Sequence, residues 1–239
     1  LPGEEVALFG AAQLLLDRAR LARPGLEAGE FEWDHVARIC RQVQGMPLAL
    51  VLAAGWLELL TFEEVADEIA GSLDILESQV RDMPPRQRSV KATFEYSWQR
   101  FAAGDRQVFS RLSVFRGGFS RQAAQQIAGA GLRTLRILVK KSLITAVGPD
   151  LYAVHELLRQ FAAEKLETDG QAGPIRDVHS EYYLEAVASR EADLKGRRQL
   201  EALEEIGSAL DNVRAAWNWA LERAAWPAVE RVLESLALF

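Results

Sequence analysis

Few residues in this chain have types and spacings that suggest chemistry of their own. The three histidines, His35, His155 and His179, show no zinc-ligand spacing with one another or with Cys40, the one cysteine. No glycine-rich loop ends in Gly-Lys-Ser/Thr, and Lys141-Ser142, the one Lys-Ser pair, closes a leucine-rich segment, so a P-loop phosphate cradle is absent. Gly129-Ala130-Gly131 lacks a third glycine and a preceding strand, which argues against a dinucleotide site. No glycine-flanked nucleophile supports a Ser-His-Asp group. Two sets of residues fit ligand binding better. Arg133, Arg136 and Lys140 recur along one face of a leucine-rich segment, the arrangement with which a helix enters a DNA major groove, while Leu132, Leu135, Leu138 and Val139 occupy its other faces. His155 stands where a strand-like segment passes into a helical one, beside N–H groups that favour an anion, and Pro47 opens an apolar helix.

The elements that must position these residues are mainly helical. Glu4 to Arg20 reads as one helix; Asp34 caps a second bearing Val36, Ile39, Cys40 and Val43 at helical spacing; Gly45 ends it. Pro47 sits in the first turn of an almost wholly apolar helix reaching Leu60, where a missing N–H costs little. Thr61 and Glu64 form a capping box for Phe62 to Glu77. Met83-Pro84-Pro85 marks a boundary. Beyond it, helices are expected at Arg88 to Phe101, Asp105 to Phe115, Arg121 to Gly129 and Leu132 to Lys141. A hairpin of Leu143 to Val147 and Leu151 to Val154 and a helix from His155 to Thr168 follow. Three helices, a hairpin and a closing helix make a winged-helix unit, with one further helix in front. Asp169 to Pro174 reads as a linker; Val178 to Ala192, Gln199 to Arg223 (split near Gly207-Ser208) and Ala228 to Phe239 read as paired helices at the start of an α-solenoid. The expected organisation is residues 1–80 as a helical bundle, 81–170 as the winged helix and 171–239 as a TPR-like region. Trp56, Trp98, Trp217, Trp219 and Trp226 are expected to pack between helices.

Composition agrees with a soluble fold: 49% of the 239 residues are apolar and 26% charged. The longest uncharged stretch, Gln42 to Leu57, is broken by Gly45, Pro47 and Gly55 and is shorter than the ~20 residues a bilayer span needs. A single cysteine and the lack of a signal peptide point to a reducing, cytoplasmic setting, and a first residue that is not methionine suggests a segment of a longer protein. The net charge of −6 conceals a division. Residues 1–80 hold 5 basic and 14 acidic side chains, residues 81–170 hold 15 and 8, and residues 171–239 hold 8 and 12. A basic middle between acidic flanks serves either a nucleic-acid face or docking between neighbouring domains.

Several segments resemble, in order, the part of the STAND signal-transduction ATPases that follows the nucleotide-binding core. Gly45-Met46-Pro47-Leu48-Ala49-Leu50 resembles the GLPLAL motif of the NB-ARC helical domain. Ala92-Thr93-Phe94-Glu95-Tyr96-Ser97-Trp98 and Val108 to Phe119 are similar to the entry into that family's winged helix. Val154-His155-Glu156 looks like its MHD motif, with valine for methionine and glutamate for aspartate, and Asp211 to Ala220 resembles helices leading into TPR-type arrays. The resemblance implies that Pro47 lies against a bound adenine nucleotide and that His155 contacts the β-phosphate of ADP. It also implies a role as the regulatory part of a bacterial nucleotide switch. ADP or ATP would be held only together with the upstream core, since the P-loop, Walker B acid and arginine sensor are missing here, and the chain alone would be no enzyme. Implied partners are that core, a protein ligand on the C-terminal helices, and further copies on activation, with no membrane. The alternatives are a DNA-binding winged-helix regulator acting through Arg133, Arg136 and Lys140, or an interaction scaffold.

Overall fold

The computed structural model describes residues 10–26, 32–77 and 89–239. The fold class is mainly α, with one three-stranded antiparallel sheet. The chain divides into two compact units, one of Leu1–Phe101 with Glu156–Phe161, the other of Ala102–His155 with Ala162–Phe239. Among the described residues no helix is long and apolar enough to cross a membrane.

In the first unit, α1 (Gly10–Ala22) packs on α3 (Pro47–Gly55), and α2 (Trp33–Gln42) packs on α4 (Phe62–Gly71). Leu15, Ile39, Leu50, Ile69 and Leu73 are fully buried between them. Gly45 leaves α2 at φ +70°, a left-handed conformation in which a side chain would be strained, and lets Met46 turn into α3. The expected apolar helix to Leu60 stops at Gly55 and tightens into a 3₁₀ turn at Trp56–Glu58, where the Trp56 indole N–H donates to the Ile75 carbonyl at 2.6 Å. The Thr61/Glu64 capping box forms, with the Thr61 N–H donating to Glu64 at 2.8 Å and the Glu64 N–H to the Thr61 hydroxyl at 3.2 Å. Helix α4 ends at Gly71 rather than Glu77, because the Ser72 hydroxyl accepts from the Asp74 N–H and starts a separate 3₁₀ turn. Helix α5 (Val90–Trp98), capped by Ser89, lays Phe94 and Trp98 edge-on to Phe161, with centroids 5.8 and 5.7 Å apart. Phe161 comes from α9 (Glu156–Thr168), the first six residues of which group with this unit. The expected start of the first helix at Glu4, the Met83-Pro84-Pro85 boundary and Arg88 lie outside the described residues.

The second unit opens with the winged helix: α6 (Ala103–Leu112), β1 (Gly118–Ser120), α7 (Arg121–Ala128), α8 (Leu132–Lys140), β2 (Ile144–Gly148) and β3 (Leu151–Val154). Strand β1, three residues after Gly117, is not marked by any alternation in the sequence. It joins the hairpin to give the order β1-β3-β2, with Phe119 opposite Tyr152 and Thr145 opposite Ala153. Phe109, Leu112, Phe115, Phe119 and Leu135 fill the core, Phe115 and Phe119 stacking at 4.3 Å.

The helical region follows as α10 (Ala172–Ala188), the single-turn α11 (Glu191–Leu194), α12 (Gln199–Ser208), α13 (Leu210–Glu222) and α14 (Trp226–Leu238). The expected linker is shorter than its composition suggests. Only Asp169 to Gln171 turn, with Gly170 at φ +67°, and Gly173-Pro174 lie in the first turn of α10, where proline loses no helical hydrogen bond. The long C-terminal helix divides at Ala209, next to Gly207-Ser208. Helix α10 packs on α7, α13 and α14, so the winged helix and the helical region share one core. Trp226, expected to pack, is 57% exposed at the start of α14.

Candidate functional site

The basic set lies on α8. Leu135 and Leu138 are fully buried and fix the helix's inner side, which leaves Arg133, Arg136 and Lys140 exposed at steps of three and four residues. Leu132, on one of the other faces, is 58% exposed because it occupies the first helical position, ahead of the packed turns. Among the described residues none of the three cations has an ion-pair partner, whereas the adjacent Lys141 turns to Asp105 at 3.6 Å. Residues 102–155 hold 8 basic and 2 acidic side chains, and both acids are engaged, Asp105 with Lys141 and Asp150 with Arg121 at 3.1 Å. The positive charge around α8 is therefore uncompensated within the winged helix. The hairpin tip, Val147-Gly148-Pro149-Asp150, contains no basic residue of its own, and its Asp150 holds Arg121.

The two other sequence-predicted positions belong to different units. Pro47 is the first residue of α3, exposed, following an extended Met46 whose carbonyl accepts from the Leu50 N–H at 3.0 Å. His155 is half-buried, directly between β3 and α9, so the strand-to-helix passage expected for it is present.

The most tightly determined polar feature of the second unit was not singled out by sequence. Asn212 of α13, 1% exposed, accepts from the Arg116 N–H at 2.8 Å through Oδ1 and donates from Nδ2 to the Gly118 carbonyl at 2.8 Å. It thereby satisfies the backbone on both sides of Gly117, which sits at φ +72°. His179 of α10, 3% exposed, places Nε2 3.2 Å from the same Oδ1. Because a carbonyl-type oxygen only accepts, His179 carries its proton on Nε2. Burial drives its pKa down to about 4, against a smaller upward pull from the Asn212 bond and with a further downward push from Arg116, so the ring is neutral at pH 7. The Ser180 hydroxyl donates to the Ala216 carbonyl at 2.8 Å, tying α10 to α13 directly. The signal was present: Asn212, Ala216 and Ala220, like Ile175, His179, Tyr183 and Val187, fall at steps of four on buried stripes, and a polar residue on such a stripe needs a partner.

The second unit is a winged helix built into a helical platform, with an exposed basic row on α8. No protein-family model matches the chain. Over 224 residues it is 31% identical to the protein named "Putative HTH-type transcriptional regulator Rv0890c" of Mycobacterium tuberculosis (strain H37Rv), and equally to that named "Putative HTH-type transcriptional regulator Mb0914c" of Mycobacterium bovis. The match takes in 89% of this chain and 25% of each relative, so the chain spans about a quarter of their length. It is also 28% identical over 176 residues to "Uncharacterized protein Rv0894" of M. tuberculosis, covering 69% of this chain and 45% of that protein.

Proposed function

We propose that the chain is a regulatory segment of a larger bacterial transcription regulator, and that its winged helix binds duplex DNA through α8. The observation that carries this reading is the row of Arg133, Arg136 and Lys140, exposed and without ion pairs among the described residues, on the third helix of a winged helix. The names of the mycobacterial relatives support the regulator class. The three cations of α8 suffice to neutralise a few phosphates. Three released counterions give a slope of log K against log salt of about −2.7. Fluorescence anisotropy with random and genomic duplexes tests this. Arg133→Glu with Arg136→Glu is expected to weaken binding by a factor of about 10 or more, and Lys140→Ala to lower the salt slope by about 1. Absence of binding at low salt would remove the reading.

A second reading is favoured by Pro47 at the head of α3 and His155 at the head of α9, the positions at which the resemblance to STAND ATPases puts nucleotide contacts. In it the chain is the non-catalytic part of a nucleotide switch, and each residue faces ADP held by a core outside this chain. A charged histidine–phosphate bond of ~1.5–3 kcal/mol shifts a closed/open ratio by about ten- to a hundredfold. Calorimetry with ADP and ATP, on this chain and on one extended through the residues before it in its gene, tests the reading. Binding only by the longer chain, lost in His155→Ala and Pro47→Ala, is expected; no binding by either overturns it.

A further inference from the structure

The joint between the winged helix and its platform encloses a cleft of about 340 Å³, within the size range of small-molecule sites. Its lining comes from the turn after α6, with Arg116, from α9, with Ala163 and Leu166, and from α10 and α13, with Arg176, His179, Asn218, Trp219 and Glu222. Arg116 donates from Nη1 to the Ser113 carbonyl at 3.0 Å and the Phe115 carbonyl at 3.3 Å, which fixes its guanidinium at the wall. The Trp219 indole of the same lining is held by its Nε1–H to Asp177 at 2.8 Å, and two guanidinium carbons lie over its ring, Arg176 at 5.3 Å and Arg223 at 5.9 Å from the centroid. The lining thus combines an aromatic ring that carries cations over it with the Arg116 guanidinium. Arg176 also pairs with Glu167 at 2.5 Å, on an exposed edge. Beneath them His179 is neutral and uses Nε2 for Asn212, which leaves Nδ1 as an acceptor. The lining holds two guanidiniums and one carboxylate, Glu222, with the amide of Asn218 available in both senses.

From this arrangement we infer that the cleft is a binding site for a small planar anion, an aromatic ring bearing a carboxylate or phosphate. The ring packs against the Trp219 edge and the plane of the Arg176 guanidinium, and the anionic group takes a further hydrogen bond from Arg116. Such a ligand touches the same elements that Asn212 joins, so it acts on the angle at which the platform holds the winged helix. The site shares no residue with the α8 face, with Pro47 or with His155, and stands whether or not those readings do.

The test is calorimetry on the whole chain with three aromatic anions, benzoate, indole-3-acetate and 5′-AMP, against inorganic phosphate and neutral indole. At least one aromatic anion is expected to bind saturably at one site per chain, about tenfold or more tighter than phosphate or indole. Arg116→Ala and Trp219→Leu should each weaken that binding by a factor of about 10, and Arg116→Lys by less. Circular dichroism melts of each variant show whether the fold is retained; Arg116→Lys, which keeps the charge, stands in should Arg116→Ala unfold. No saturable binding by any of the three anions, or binding indifferent to both positions, overturns the inference. Binding of 5′-AMP that is lost in Pro47→Ala and kept in Trp219→Leu does so as well.

Discussion

Replacing Asn212 with alanine tests whether the winged helix is held to the platform by polar specificity or by apolar packing alone. The substitution removes the acceptor for the Arg116 N–H, the donor for the Gly118 carbonyl and the oxygen facing His179 Nε2. A buried group deprived of its partner costs ~1–3 kcal/mol. Arg116 is exposed, and water reaches its N–H more easily than it reaches His179, so the three losses do not add in full. A net destabilisation of about 3 kcal/mol follows, a fall of roughly 6–12 °C in melting temperature for a unit of this size. Urea unfolding followed by circular dichroism measures the whole, and hydrogen exchange at the Arg116 amide reads the joint locally: its protection should fall further than that of the α8 amides. A loss below about 0.5 kcal/mol with Arg116 still protected would refute the reasoning, since surface substitutions reach that level without any network.

Two further predictions concern the same physics. The pKa of His179 is depressed from 6.5 to about 4, so the unfolded chain binds the extra proton between those values; stability is complete above pH 6.5 and is lost as pH falls toward 4. The loss is on the order of 3 kcal/mol, visible as a lower urea midpoint at pH 4.5 than at pH 7.5, and His179→Phe should flatten that difference; an equal acid sensitivity in the variant would contradict it. In the first unit, Thr61→Ala removes the hydroxyl that accepts from the Glu64 N–H and should cost about 1 kcal/mol, read by urea unfolding, while Thr61→Ser should cost much less.

The legible part of this structure is the part written in local signals. The capping box, the stop at Gly45, the proline start of α3 and the Pro149-Asp150 hairpin each rest on neighbours within four residues, and the winged-helix order could be read from them. Strand β1 was not legible, because three residues carry no alternation and its reality lies in pairing with β3, over thirty positions away. The start of α10 was misjudged for the converse reason: Gly173-Pro174 has linker composition, yet a first turn tolerates proline and the apolar stripe of Ile175, Tyr183 and Val187 holds it in place. At the candidate site the exposure of Arg133, Arg136 and Lys140 followed from the leucine spacing beside them. Their lack of counter-charges among the described residues did not, since the pairing of Lys141 with Asp105 and of Arg121 with Asp150 is a matter of tertiary placement.

The joint and the basic face occupy different sides of the winged helix, and this division has a mechanical consequence. Docking uses the turn before β1, together with α7, against α10 and α13, while α8 packs on α6 and β2 and keeps its cations in solvent. Closing the joint therefore does not cover α8, and opening it does not dismantle the core of Phe109, Leu112 and Leu135 that holds α8 in place. The platform is attached to one edge of the winged helix by a shared core, with Phe115 on His179 and Tyr183, as well as by these hydrogen bonds, so a reorientation of that domain is a rigid-body one. The requirement is that the joint have two arrangements of similar free energy. A network of one amide, one imidazole and two backbone groups, worth about 3 kcal/mol, lies in the range that a single ligand or partner can offset.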